Sequence, residues 1–258
     1  MTLTVALALG AVIGILLGLL GGGGSILAVP ALVYGLGLGI EQAIPISLLV
    51  IGIASAVGVL PKLRAQQVEW RLAGIFAAAG IPATFAGSAV SRLLPQSAIM
   101  LGFAAVMVVA GIRMLLDSDN VGTACKTGDS GINWRRCAPR SIPAGFAVGF
   151  LTGLFGVGGG FLIIPALVLM LGVGIQIAVG TSLLIIVANS AAGLISHLSG
   201  ASIDWAITVA FAGTAIVGSL VAAHFGTRID TDRLQRWFAY LVFVVATYIL
   251  IDTIFSYR

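Results

Sequence analysis

Long runs of apolar residues dominate this chain, and short polar stretches separate them. No charged side chain occurs before Glu41, and none occurs between Arg140 and Asp204. An apolar run of about 20 residues can cross a bilayer as an α-helix. The pattern predicts an all-α, multi-pass membrane helix bundle with segments at 3–20, 25–39, 42–61, 70–91, 95–116, 143–155, 160–174, 177–197, 205–226 and 231–252.

The chain also matches itself without a gap, at one constant offset that places Gly21 on Gly156. Self-similarity of this kind indicates an internal repeat. The matches that carry weight are Gly21 with Gly156, Gly23-Gly24 with Gly158-Gly159, Pro30 with Pro165, and Trp70 with Trp205. Apolar residues match by chance, but spaced glycines, prolines and tryptophans do so far less often. We interpret the chain as two pseudo-symmetric membrane repeats, 1–117 and 143–258, joined by a polar linker at 118–142 that we expect to be a solvated loop with little order.

Each repeat has a glycine cluster followed by a proline inside an apolar stretch. Lipid cannot hydrogen-bond an opened backbone, so such a break must be buried in protein or line a cavity. Broken helices at matching places in two halves are typical of transporter binding sites. Close helix packing is the alternative, although four consecutive glycines would weaken a helix. The glycines that we expect to line a cavity are Gly21, Gly22, Gly23, Gly24, Gly156, Gly158, Gly159 and Gly160.

Polar side chains near these breaks extend the candidate site. A helix that starts after a break presents N–H groups and the positive end of its dipole, which suits an anion, and Ser25 is placed to cap it. The third segment of each repeat carries polar residues on one helical face. Bonds to neighbouring helices are the alternative role. The candidate binding residues are Ser25, Ser47, Ser55, Thr181, Ser182, Asn189 and Ser190.

Two further polar residues, Lys62 and His197, are candidates for ion coupling. His197 can titrate near neutral pH and could carry a coupled proton. The alternatives are that Lys62 extends to the membrane surface and that His197 is a helix-end residue near water.

The direction of the repeats depends on what the chain does at the glycines. A chain that continues gives parallel repeats, whereas one that turns back gives inverted repeats. Cytoplasmic loops collect Lys and Arg. Inversion places all 13 of these residues except Arg92 and Arg258 on one side, whereas parallel repeats leave four on the other side. We therefore expect inverted repeats in the inner (plasma) membrane, with the linker cytoplasmic and both termini outside.

Composition argues against several other functions. No acidic residue is predicted deep in a span, and no Cys/His/Met cluster occurs, which disfavours a cation carrier or a metal site. A net charge of +4 fits cytoplasmic loops rather than nucleic-acid binding. We expect no enzyme activity, no cofactor and no metal. Cys125 and Cys137 are expected to be reduced thiols, with a disulfide or a regulatory pair as the alternative.

The doubled glycine–proline motif resembles that of the TauE/SafE, or sulfite exporter, family. The run Gly180-Thr181-Ser182 and the pair Asn189-Ser190 also match, and the resemblance covers nearly the whole chain. It implies a membrane carrier for small sulfur-containing anions: sulfite, thiosulfate, sulfoacetate or related organosulfonates. One departure is Pro45-Ile46-Ser47 at the first-repeat position of that run, which lacks a threonine hydroxyl.

The combined hypothesis is a secondary transporter that works by alternating access. Its expected partners are the anion, the lipid bilayer and protons as a coupling ion, and a homo-oligomer is left open. A passive anion channel is the first alternative. A non-transport assembly or partner protein is the second, and an intramembrane enzyme is the third.

Overall fold

The structure is a computed structural model that describes residues 2–20, 23–116, 134–156, 160–197, 204–225, 240 and 242–251. Every regular element within these ranges is helical, so the predicted all-α membrane bundle is confirmed. The elements are α1 (Thr2–Leu20), a 3₁₀-helix (Gly23–Leu27), α2 (Ala28–Pro30), a π-helix (Ala31–Gly35), α3 (Ile40–Arg64), α4 (Trp70–Ser91), α5 (Gln96–Leu116), α6 (Trp134–Phe155), α7 (Gly160–Pro165), a second π-helix (Ala166–Met170), α8 (Ile175–His197) and α9 (Trp205–Phe225), followed by a helical segment at 242–251.

Four of the described helices are long and apolar enough to cross a membrane: Ile40–Arg64, Trp70–Ser91, Gln176–His197 and Trp205–Ala222. These belong to α3, α4, α8 and α9. The residues of α3 and α8 are mostly buried, whereas α4 and α9 expose more of their surface. The two central helices therefore form the middle of the bundle, and the others surround them.

Glycines let α1 pack closely along α9. A side chain at any of the three α1 positions would collide with the backbone or side chains of α9. Because the contacts advance together along both helices, α1 and α9 run parallel. The contacting pairs are Gly10 with Phe211, Gly14 with Ala215, and Gly18 with Ser219.

The pairing of α6 with α4 repeats this arrangement. Its pairs are those of α1 and α9 shifted by the repeat offset, with the two repeats exchanged. The first helical segment of each repeat therefore packs against the fourth segment of the other repeat. The contacting pairs are Gly145 with Phe76, Gly149 with Gly80, and Gly153 with Thr84.

The central helices α3 and α8 are counterparts at the same offset, but they run in opposite directions. Rising residue numbers on α3 meet falling numbers on α8. The contacting pairs are Leu48 with Gly193, Gly52 with Ser190, and Gly58 with Leu183.

After the first glycine break, the chain turns back along α1. Gly24 lies against Ile13 and Leu17, and Gly35 lies against Leu9. Residues 24–35 therefore run antiparallel to α1, as in a hairpin. Of the two geometries that the glycines allowed, the first repeat has the one that turns back.

Each returning segment contains a π-helix that begins directly after a proline, Pro30 or Pro165. Proline has no N–H, and its ring collides with the carbonyl of the preceding turn. Single π turns inside helices are rare and are often found at functional sites. Each π-helix is followed by a glycine in left-handed conformation, Gly37 at φ +68° and Gly172 at φ +71°.

Part of the expected linker is helical. Helix α6 begins at Trp134, so the prediction of a loop at 118–142 is wrong for residues 134–142, while residues 117–133 lie outside the described part of the chain. Cys137, Ser141, Ala144 and Val148 are buried at helical spacing, which explains why the helix extends. The charged residues of this segment obscured that pattern in the sequence.

Cys137 is fully buried and disulfide-bonded. The expectation of a reduced thiol is therefore wrong for this residue. The chain has one other cysteine, Cys125, which lies outside the described residues.

Candidate functional site

Both glycine clusters interrupt helices, as the sequence predicts. Helix α1 ends at Leu20, and the 3₁₀-helix opens at Gly23. Helix α6 ends at Phe155, and α7 opens at Gly160. Of the glycines assigned to the site, Gly21, Gly22, Gly158 and Gly159 lie outside the described residues.

The second break starts with a glycine that no other residue can easily replace. Gly156 is buried and has φ +68°, a left-handed conformation that costs other residues free energy. A Cβ at this position would also lie 2.7 Å from Cγ1 of Ile44. Tight packing and backbone geometry both require glycine here.

Ser47 holds this break against α3. Its hydroxyl lies 2.6 Å from the carbonyl oxygen of Gly156 and 2.7 Å from that of Ile44. A serine hydroxyl has a single proton to donate, and two protein carbonyls already share it. Ser47 therefore positions the glycine break and is a poor donor to a ligand.

Ser25 does not cap a helix after the first break. It lies inside the 3₁₀-helix Gly23–Leu27, and α2 begins after Leu27 without a side-chain cap. Ser25 is fully buried and engaged in an interaction. The capping role that the sequence suggested is wrong, because the 3₁₀ turn starts two residues earlier.

Four buried side chains near the crossing of α3 and α8 have no hydrogen-bond partner among the described protein groups. They come from three helices, and we call them the central polar cluster. Gly52 contacts Ser190 and Gly58 contacts Ser219, at points on α3 six residues or about 9 Å apart, while Asn189 faces Gly80 on α4. The set is therefore spread through the bundle, and one small anion cannot contact all four side chains. The cluster consists of Ser55, Asn189, Ser190 and Ser219.

Asn189 is the largest member of this cluster, and both of its amide atoms are unpaired. Helix α4 makes room for it with Gly80, where a Cβ would lie 2.7 Å from Oδ1. A buried amide without partners costs free energy of about 1–3 kcal/mol, and buried polar groups in proteins are nearly always bonded. A bound ligand or water would satisfy these groups.

Thr181 and Ser182 lie toward the other end of α8. The Thr181 hydroxyl accepts a hydrogen bond of 3.0 Å from the backbone N–H of Glu69, in the loop between α3 and α4. The Ser182 hydroxyl donates to the carbonyl of Val179 at 2.8 Å. Eight residues of helix place Thr181 about 12 Å from Asn189, so one small anion cannot contact both.

The two candidate coupling residues end their helices on opposite sides of the bundle. Lys62 is half-buried in the last turn of α3, and His197 is half-buried at the end of α8. The imidazole Nδ1 lies 3.0 Å from the carbonyl of Gly193, whereas Nε2 has no partner among the described groups.

Sequence reasoning missed Ser219. The signal was present, because Ser219 corresponds to Thr84 at the repeat offset. Thr84 donates to the carbonyls of Gly80 and Gly149 at 2.8 and 3.0 Å, whereas Ser219 is unpaired. A buried hydroxyl at the same place in both repeats would have indicated that this face of α4 and α9 is polar.

A cavity of about 670 Å³ opens where α3 begins and α4 and α8 end. Helix α6 runs parallel to α4, so the linker approaches the opposite end. We call this cavity the linker-distal pocket. Ile44 lines this pocket and also contacts Gly156. The side chain of Ile44 therefore lies between the pocket and the second glycine break.

Comparisons with known proteins agree with this architecture. The sequence model described as "Sulfite exporter TauE/SafE" matches residues 6–249. A "Probable membrane transporter protein" of Xylella fastidiosa (strain Temecula1) is 33% identical over 255 residues, covering 96% of this chain and 95% of the relative. "Probable membrane transporter protein YunE" of Bacillus subtilis is 26% identical over 273 residues, covering 99% of this chain and 100% of the relative.

No solved structure matches the chain. The relatives are named as membrane transporters rather than as enzymes, and the described helices include four candidate membrane spans. The family match covers nearly the full length that the sequence resemblance indicated. This chain therefore belongs to the sulfite exporter TauE/SafE family.

Proposed function

We propose that this protein is a secondary transporter of small sulfur-containing anions, that Asn189 in the central polar cluster binds the substrate, and that the other members of the cluster lie along its path. The observation that carries the proposal is the set of unpaired polar atoms on Ser55, Asn189, Ser190 and Ser219, buried at mid-length in the bundle. The family description points to sulfite, and sulfite, thiosulfate, sulfoacetate and related organosulfonates are the candidate substrates.

The chemistry of the cluster suits an oxyanion. Asn189 offers two N–H donors and each serine offers one O–H donor, while the cluster contains no carboxylate. Neutral donors stabilise an anion less strongly than a buried lysine or arginine would. A transporter must release its substrate, so moderate binding by hydrogen bonds is an advantage.

The transport mechanism that we propose is alternating access between two inverted repeats, residues 1–117 and 143–258. The antiparallel crossing of α3 and α8, the exchanged pairing of α1 with α9 and of α6 with α4, and the return of residues 24–35 along α1 support inversion. In inverted repeats, rocking of one bundle against the other exposes a central site to each side in turn.

The arginine and lysine distribution supports a cytoplasmic linker with both termini outside. The disulfide at Cys137 opposes this orientation, because disulfides are typical of oxidising compartments. We give the charge pattern more weight, since it draws on all 13 basic residues. Direct topology mapping separates the two.

The test is flux of labelled sulfite, thiosulfate and sulfonates into liposomes that contain the purified full-length protein. We expect Asn189→Leu to raise the KM for the transported anion about tenfold or more, since a buried hydrogen bond to a charged group is worth about 1.5–3 kcal/mol. Asn189→Asp keeps the shape but repels an anion, so its loss should be larger.

Gln176→Leu is the matched control, because Gln176 is exposed near the start of the same helix. An unchanged KM in Asn189→Leu would show that Asn189 serves helix packing and does not bind the substrate. Uptake that fails to saturate with substrate would favour a passive anion channel. No uptake of any of these anions by the wild-type protein would favour an assembly or partner role.

A further inference from the structure

The linker-distal pocket combines a fixed cation with an unpaired hydrogen-bond acceptor. Its lining residues include Arg92 at the end of α4 and His197 at the end of α8. The Arg92 guanidinium donates through Nη2 to the carbonyl of Ser196, the residue next to His197. This bond holds the positive charge beside the imidazole, and a guanidinium has further N–H donors for a ligand.

The imidazole of His197 has a defined hydrogen-bonding polarity. Nδ1 lies 3.0 Å from the carbonyl oxygen of Gly193 and 3.2 Å from the Ser196 hydroxyl, and that hydroxyl donates to the same carbonyl. A carbonyl can only accept, so we assign the proton of the neutral ring to Nδ1. Nε2 is then a lone-pair acceptor, and it has no partner among the described groups. A ligand that satisfies Nε2 must donate a hydrogen.

The other polar groups of the pocket disfavour a doubly charged anion. Glu41 lines the pocket with a carboxylate, and Gln42 and Gln96 add neutral amides. Glu41 on α3, Arg92 on α4 and His197 on α8 are the titratable or charged side chains among its described lining residues. With His197 neutral, Arg92 is the one cation among these described lining groups, so each additional negative charge on the ligand adds repulsion from Glu41 with no further cation to offset it.

Two helices begin at this pocket. Gly39 precedes α3 and accepts hydrogen bonds from the N–H groups of Gln42 and Ala43, and Pro95 precedes α5 in the same way for Ala98 and Ile99. The first turns of both helices contribute lining residues. Helix starts carry partial positive charge, which favours an anion over a cation.

We propose that the linker-distal pocket is an access subsite for a monoprotonated oxyanion, whose O–H donates to Nε2 of His197 while its charged oxygens accept from Arg92. Hydrogensulfite has this form, whereas sulfate carries no such proton near neutral pH. The inference rests on the proposed anion transport and adds a selection step before the central polar cluster. Ile44 then separates this subsite from the glycine break.

The test compares hydrogensulfite with sulfate on the full-length protein. In detergent, titration calorimetry at pH 6 should show binding of hydrogensulfite at least tenfold tighter than binding of sulfate. In liposomes, the KM for labelled sulfite should be lower at pH 6 than at pH 8. Equal binding of both anions, or a KM that does not change with pH, would overturn the proposal.

Variants assign the effect to the two residues. Arg92→Gln should raise the KM about tenfold, the usual effect of losing a charged hydrogen bond, with little change in kcat. His197→Asn keeps an amide near Gly193 and removes the acceptor at Nε2, so it should have a similar effect. His197→Gln restores a neutral acceptor near that position and should recover part of the affinity, and the pH dependence should remain because it comes from the proton on the ligand. Arg64→Gln, at an exposed position in the last turn of α3, is the charge-matched control and should leave the KM unchanged.

The outcomes separate this inference from the proposed function. If the wild-type protein transports sulfite and Asn189→Leu impairs it while Arg92→Gln and His197→Asn do not, the transporter stands and the subsite is wrong. If the wild-type protein transports none of the anions, the proposed function itself fails. Should Arg92→Gln fold poorly, Arg92→Lys keeps the charge without the planar fork, and an unchanged KM in a folded His197→Asn protein still refutes the subsite.

Discussion

For Gly156, the structure allows the loss of folding stability on substitution to be estimated from two separate observations. Replacement by alanine would force a Cβ into left-handed backbone at φ +68°, at a cost of about 1–2 kcal/mol. The same Cβ would lie 2.7 Å from Cγ1 of Ile44, and overpacking costs about 1–3 kcal/mol. Alanine also restricts the unfolded chain, which returns about 0.4–1 kcal/mol. The expected net loss for Gly156→Ala is about 1–5 kcal/mol.

Three other glycines separate these contributions. Gly37 shares the conformation, φ +68°, but has nothing within 4 Å of a built Cβ, so Gly37→Ala tests backbone strain alone. Gly153 is helical and lies against α4, with the Thr84 carbonyl carbon 2.8 Å from a built Cβ, so Gly153→Ala tests packing alone. Gly213 lies exposed in α9 with open space around it, so Gly213→Ala carries neither cost and should stabilise the helix by about 0.5–1 kcal/mol.

The assay is equilibrium unfolding of the four purified variants in mixed micelles, followed by sulfite flux in liposomes. We expect Gly156→Ala and Gly153→Ala to lose the most stability, Gly37→Ala to lose at most about 1.6 kcal/mol, and Gly213→Ala to gain. If Gly156→Ala were as stable as Gly213→Ala, the left-handed, tightly packed break would be wrong. The proposed link between that break and transport would then lose its basis.

Three further predictions follow from single contacts. Ser47→Ala should destabilise the fold by about 1 kcal/mol or more, because it removes the bond to the Gly156 carbonyl; an unfolding midpoint equal to wild type would contradict that role. Gly80→Ala should displace the Asn189 amide and impair sulfite flux while the protein remains folded, and full flux would show that this amide does not bind substrate. A reporter fused after Arg258 should lie outside the cell, and a cytoplasmic signal would exclude inverted repeats with a cytoplasmic linker.

Much of the helical framework could be predicted because membrane spans depend on composition over long windows. The predicted segment at 70–91 coincides with α4, and that at 205–226 contains α9. The repeat offset also predicted correspondences that the structure contains, such as the π-helices after Pro30 and Pro165. Apolar spans depend on residues that are close in sequence, and the repeat appears when the chain is aligned with itself. Both features can therefore be recognised without coordinates.

The site was less predictable because a polar residue in a helix does not reveal its partner. Ser47 and Ser55 looked alike in the sequence, yet one holds Gly156 and the other is unpaired. Thr181 and Asn189 share a helix, but about 12 Å separates them. The start of α6 was missed for a related reason, because Arg135 and Arg136 concealed a buried stripe that includes Cys137. These differences depend on which helix lies opposite, which is tertiary information.

The two repeats share their packing more closely than their chemistry. The glycine contacts of α1 with α9 recur as contacts of α6 with α4, yet Ala54 stands where the second repeat has Asn189, and Lys62 stands where it has His197. A symmetric scaffold can exchange its two halves with little change in packing energy, which is what alternating access requires. In the proposed mechanism, an asymmetric set of polar groups would let the site bind one anion in one orientation, without a second, equivalent site competing across the pseudo-symmetry axis. On this interpretation, the glycines and prolines provide the movement, and the residues that break the repeat provide the selectivity.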